Sequence, residues 1–76
     1  MSQQASSPKV PSSFLNRLKE VRLARGLSQG ELAARADITR QAISSIEANR
    51  YLPTTVVALQ LARVLNTSVE DLFSLQ

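Results

Sequence analysis

The 76-residue chain contains neither cysteine nor histidine. Disulfide stapling is therefore excluded, as are the common zinc sites and any thiol or imidazole chemistry. No apolar run approaches the roughly 20 residues that span a bilayer, so no membrane partner is expected. The opening MSQQASSPKVPSS lacks the charged-then-apolar pattern of a secretory signal. The acidic residues do not cluster either, which leaves little for general acid–base work and makes an enzyme the least expected reading. The expectation is a soluble cytoplasmic protein with no cofactor, no metal and no catalytic residue.

What is present is a modest excess of positive charge. Nine basic residues against six acidic ones give a net charge of +3, and eight of the nine lie at or after Arg17. That balance suits a polyanionic partner, although solubility alone also favours it. A chain of this length makes one domain at most and buries a small share of its surface, so marginal stability is expected.

Residues 1–12 are rich in Ser, Gln and Pro and nearly free of large apolar side chains. Such a stretch cannot bury enough surface to offset its ordering entropy, which predicts a disordered N-terminal arm. Residues 13–76 form the expected domain, helical throughout and without an alternating, strand-like segment. Leu15, Leu18 and Val21 recur at helical spacing before Gly26 stops the first helix. Ser28 with Glu31 makes a capping box opening a second helix through Leu32, Ala33 and Ala36. Thr39 can cap a third, with Ile43 and Ile46 apolar, and Thr54 a fourth, with the stripe Val57, Leu61 and Leu65. Ser68 with Asp71 reads as another capping box, opening a short last helix. The sum is a compact, all-α, five-helix domain.

Gln29 to Ala48 is the informative stretch. Only Asp37, Ile38 and Thr39 separate two helices, too few for a relaxed antiparallel hairpin, so the helices must cross steeply as in a helix-turn-helix unit. At about 100° per residue, Ile43 and Ile46 point one way, flanked by Thr39 and Ala42. The opposite arc carries Arg40, Gln41, Ser44, Ser45 and Ala48, with no carboxylate and no bulky apolar group. Arginine can pair with guanine, glutamine with adenine and serine with either, so this face suits base edges in a major groove. An ordinary solvated face more often carries Glu and Lys pairs. Glu47 sits at the rim of the buried arc, where a carboxylate needs neutralising, and Arg22 near the end of the first helix is the natural partner.

These residues resemble the Cro/repressor-type (XRE) helix-turn-helix family over about Leu18 to Phe73. The matching elements are R-G-L-S-Q at Arg25 to Gln29, E-L-A at Glu31 to Ala33 and I-T-R-Q-A-I-S-S-I-E at Ile38 to Glu47. R-Y-L-P-T at Arg50 to Thr54 and V-E-D-L-F at Val69 to Phe73 complete them. The resemblance implies a lambda-repressor-like DNA-binding fold with the recognition helix at residues 39–48. It implies that Arg40, Gln41 and Ser45 read bases, with Thr39 and Ser44 beside them. By the same resemblance, Gln29 touches a phosphate and braces the recognition helix, Arg22 and Glu47 form a buried ion pair, and Asn49, Arg50 and Tyr51 meet the DNA backbone. Asp37 and Asn49 stand where the family usually has glycine; both positions are expected to need a left-handed backbone, which Asp and Asn tolerate best after glycine. Gly30 stands where a helix former is usual, in a first turn where its cost is small.

The function expected is a sequence-specific regulator of transcription, bound to double-stranded DNA as a homodimer on a palindromic operator and therefore associated with the nucleoid. Val69, Leu72, Phe73 and Leu75 crowd near the end of the chain and are the expected dimer patch, although some of them must fill the monomer core. Two other readings use the same residues: an interaction module such as an antitoxin with a toxin partner, disfavoured because the chain ends directly after its last helix, and the DNA-binding part of a longer regulator with a fused effector-binding domain.

Overall fold

The structure, a computed structural model, describes residues 10–76. The expected arm lies mostly outside the described residues; at its end a turn is closed by the Phe14 amide donating to the Pro11 carbonyl at 3.0 Å. The elements run β1 (Phe14–Asn16), α1 (Leu18–Ala24), α2 (Gln29–Ala36), α3 (Arg40–Glu47), α4 (Thr55–Val64), α5 (Val69–Leu72) and β2 (Phe73–Leu75). The five expected helices are therefore present.

The strands are the departure. β1 pairs antiparallel with β2 in the register Phe14 to Leu75, Leu15 to Ser74 and Asn16 to Phe73. The ladder is prolonged at both ends, where Arg17 N donates to Leu72 O and Gln76 N to Ser13 O, each at 2.8 Å. Phe14 and Phe73 lie on the diagonal of one face and stack with ring centroids 6.1 Å apart. Three residues are too few to display a two-residue alternation. Leu15, three positions before Leu18, mimics a helical stripe although it sits in a strand. The first helix accordingly opens at Leu18, leaving Leu15 of the expected stripe outside it, and Phe73 belongs to β2.

Helix starts follow local side-chain chemistry. Ser28 and Glu31 form the reciprocal capping box, and the bonds from Ser28, backbone N–H first, hold the Glu31 carboxyl below its ordinary range. Thr39, Thr54 and Ser68 each accept a backbone N–H three residues on, at 3.0, 3.2 and 3.1 Å. The expected reciprocal arm of Asp71 runs instead to the Thr67 hydroxyl, which donates to it at 2.9 Å. The ends of α1, α2, α3 and α4 share one device. Gly26, Asp37, Asn49 and Asn66 have φ of 72°, 60°, 60° and 55°. At each, the next residue's N–H reaches back five positions: Leu27 to Arg22, Ile38 to Ala33, Arg50 to Ser45 and Thr67 to Ala62. Among the described residues, only one of the four left-handed positions is glycine.

The core is aliphatic. Leu18, Leu32, Ile43, Ile46, Leu61, Leu65 and Leu72 are fully buried, each contributing about 1.5–3 kcal/mol of transfer free energy. Leu72 of the expected dimer patch is thus a core residue; Val69 and Phe73 pack against the core, and Leu75 stays 68% exposed. Among the described residues no helix is long and apolar enough to cross a membrane.

Candidate nucleic-acid interface

The candidate surface is built on α3, and three features fix that helix. Ile43 and Ile46 are wholly buried beneath it. The left-handed Asp37 turns the chain sharply after α2, and Ile38 packs against the core, so α3 leaves the bend with its inner face already anchored. Thr39 then caps it. With the isoleucines inside, Thr39, Arg40 and Gln41 are exposed, and Ser44 and Ser45 are half-buried. Arg40, Gln41 and Ser45 therefore lie together on the outer side of a rigid helix.

Behind this face runs a polar relay linking α1, α2 and α3. Arg22 Nε donates to Glu47 Oε2 at 2.7 Å, and Nη2 donates to Oε1 at 3.2 Å. Arg22 Nη1 donates to the Leu27 carbonyl at 2.8 Å. Gln29 Nε2 donates to Glu47 Oε1 at 3.0 Å, while Gln29 Oε1 accepts a long hydrogen bond from Arg40 Nη1 at 3.4 Å. The side chains of Arg22 and Glu47 are only 7% and 5% exposed. Three donors thus satisfy the Glu47 carboxylate, and its charge does not project toward the outer face. Because one side of the Gln29 amide faces a carboxylate, its NH2 must point inward and its oxygen outward, toward Arg40.

The loop after α3 carries Asn49, Arg50 and Tyr51, all exposed. Tyr51 leans beside Thr39, Gln41, Ala42 and Ser45 around a shallow concavity of about 310 Å³. Asn49 is anchored by a residue that sequence reasoning missed. Asn16 Nδ2 donates to both Asn49 Oδ1 and the Ile46 carbonyl, each at 2.8 Å, while its Oδ1 accepts from Leu18 N at 3.0 Å. An Asn two residues before a helix start is a recognisable Asx-turn signal; Leu15 masks it, because its helical spacing from Leu18 sets the expected start of α1 too early. Nothing local marks the bonds from Asn16 to the end of α3.

The exposed cations Arg40 and Arg50 flank an outer face without a carboxylate, apart from Asp37 at the bend. No group of three or more potential metal ligands occurs among the described residues. The arrangement can donate hydrogen bonds to a polyanion and read planar polar edges.

The family model for helix-turn-helix proteins matches residues 18–72. The chain belongs to the helix-turn-helix family. This regulator is similar to YgzD of Bacillus subtilis (strain 168), an uncharacterized HTH-type transcriptional regulator, with 34% identity over 61 residues, 80% of this chain and 92% of the relative. Among solved structures it is similar to the restriction-modification controller protein C.AhdI of Aeromonas hydrophila, with TM-score 0.70, 33% identity and coverage of 72% of this chain and 83% of the other. It is also similar to SinR, the master regulator for biofilm formation from Bacillus subtilis, solved in complex with DNA, with TM-score 0.68, 34% identity and coverage of 71% and 87%. The chain is thus a transcriptional regulator of the XRE helix-turn-helix type with a DNA-binding fold, not an enzyme. Its matched residues begin after β1 and end before β2.

Proposed function

We propose that this regulator binds double-stranded DNA sequence-specifically, with α3 in the major groove, as a homodimer on a palindromic operator. The observation that carries the reading is the outward set of Arg40, Gln41 and Ser45, backed by buried Ile43 and Ile46. Thr39 and Ser44 flank the base-reading set. Gln29, Asn49, Arg50 and Tyr51 contact phosphates, and Arg22 with Glu47 holds the helices in place. A SinR chain solved in complex with DNA, 87% of which is covered, supports the reading. Two recognition helices would enter successive major grooves about 34 Å apart. The protein acts in the cytoplasm at the nucleoid.

Selection of bound DNA from a random pool tests this reading. Two symmetric half-sites about 10 base pairs apart, centre to centre, are expected. Arg40→Ala and Gln41→Ala should each relax the preference at one position and cost about 1–3 kcal/mol at the selected site. Arg50→Ala should weaken all sequences alike and make the salt dependence shallower. An unchanged base preference in Gln41→Ala would sink the groove-facing assignment, and sedimentation as a monomer with and without operator would remove the dimer.

A further inference from the structure

We propose that Asn16 is a positioning residue for DNA binding: from the terminal strand β1 it holds the end of the recognition helix and the loop Asn49–Tyr51 in their DNA-contacting arrangement. The proposal rests on the reading of that loop given above. It concerns a residue outside the family-matched segment 18–72.

The amide of Asn16 is used on both sides. Its NH2 spans two acceptors, the Ile46 carbonyl in the last turn of α3 and the Asn49 side-chain oxygen, both at 2.8 Å. Its oxygen caps Leu18 N at 3.0 Å. The Ile46 carbonyl already accepts the Asn49 N–H at 3.0 Å, so the Asn16 amide takes its second lone pair and ties the same turn to β1. Asn16 is itself fixed, opposite Phe73 in the β ladder and next to Arg17, whose N–H donates to Leu72 O.

A second observation points the same way. Asn49 adopts φ of 60°, where glycine would be less strained. Glycine would have no side chain to receive the Asn16 amide. Asparagine at this position thus supplies an acceptor that glycine could not. Directly after it, Arg50 N donates to Ser45 O at 2.9 Å, and the exposed Arg50 and Tyr51 side chains follow. The loop is tethered through one neutral amide to a ribbon made from both ends of the domain.

The test uses Asn16→Ser, because a serine hydroxyl can still cap Leu18 N but is too short to reach α3. Asn16→Ala serves as the full deletion. In the free protein, exchange of the Arg50 amide should quicken about tenfold while that of Leu61 in α4 stays unchanged. On DNA, Asn16→Ser should weaken selected and unrelated sequences alike and leave the base preference intact. It should also lower the salt slope by about one for each phosphate that the loosened loop no longer neutralises. Combined with Arg50→Ala, it should weaken binding less than the product of the two single effects. Unchanged Arg50 exchange, or multiplicative effects in the double variant, would overturn the proposal. Failure of the unaltered protein to select any DNA would instead defeat the proposed function, and the exchange measurement would still decide whether Asn16 holds the loop.

Discussion

Glu47→Ala is the sharpest probe of what holds the recognition helix. The substitution removes the acceptor of two Arg22 hydrogen bonds and one from Gln29, and leaves a nearly buried guanidinium with only the Leu27 carbonyl. Breaking a buried pair from one side typically costs about 3–5 kcal/mol, because the remaining charge stays buried and unpaired. A domain of 76 residues is expected to have about 4–11 kcal/mol of stability in all, at about 0.05–0.15 kcal/mol per residue. Glu47→Ala should therefore remove from about a quarter to all of that stability at 25 °C. Urea titration followed by circular dichroism reads this as a fall in midpoint at constant slope. Replacing both partners, as Arg22→Met with Glu47→Leu, should recover most or all of the stability, since apolar substitutes of similar volume avoid the desolvation cost. The double variant should nevertheless bind DNA more weakly than the original, because Gln29 would be without the carboxylate that orients its amide toward Arg40. A destabilisation below about 1 kcal/mol in Glu47→Ala, the range of an exposed pair, would refute the reasoning by showing that water already screens the site.

Other expectations are more local. Asp37→Gly should stabilise the domain by up to about 1 kcal/mol by relieving a left-handed aspartate; it should also tighten DNA binding most at low salt, as titrations at two ionic strengths would show. Gly30→Ala should stabilise by about 0.4–1 kcal/mol, because the added methyl meets only Arg40 Cδ and Ser28 Oγ, both at an ordinary 3.9 Å. A rise in thermal midpoint checks it, and a fall would mean the first turn of α2 is not open there. Glu31 and Asp71 have carboxyls lowered by Ser28 and by the Thr67 hydroxyl respectively. Groups lowered on folding stabilise above the unfolded carboxylate range of about pH 4, and that contribution fades as pH falls toward their folded values. Glu31→Gln and Asp71→Asn should therefore flatten the acid limb of stability below about pH 5, and parallel limbs in variant and original would count against both caps.

The parts of the fold that were legible are those whose causes lie within a few residues. Ser28, Thr39, Thr54 and Ser68 all cap as expected, because a cap needs only a hydroxyl and an N–H three residues on. Asp37 and Asn49 were legible as left-handed positions because glycine is usual there in the family they resemble. Asn66 performs the same task at the end of α4, and its place directly after Leu65, the last residue of the apolar stripe, is a stop signal that the sequence reading passed over. The two strands could not be read. Each is three residues long, and each becomes a strand only because the other, nearly 60 residues away in the chain, is brought alongside by the helices between them.

The candidate site divides along the same line, with one exception that shows what makes a distant pairing visible. Arg22 is 25 positions from Glu47, yet the pairing could be expected from the sequence. A carboxylate at the edge of an apolar helix face is so unfavourable alone that its presence calls for a cation, and few cations are available. Asn16 is 33 positions from Asn49, and its bond to it is as short as most in the structure. It left no trace because both partners are neutral and either could hydrogen-bond to water at little cost. Charge buried near the core thus announces its partner, whereas a neutral amide bridging two surfaces does not. Supports of the second kind, holding a DNA-facing loop from a strand outside the recognisable motif, are accordingly where coordinates add most to the sequence of a small regulator.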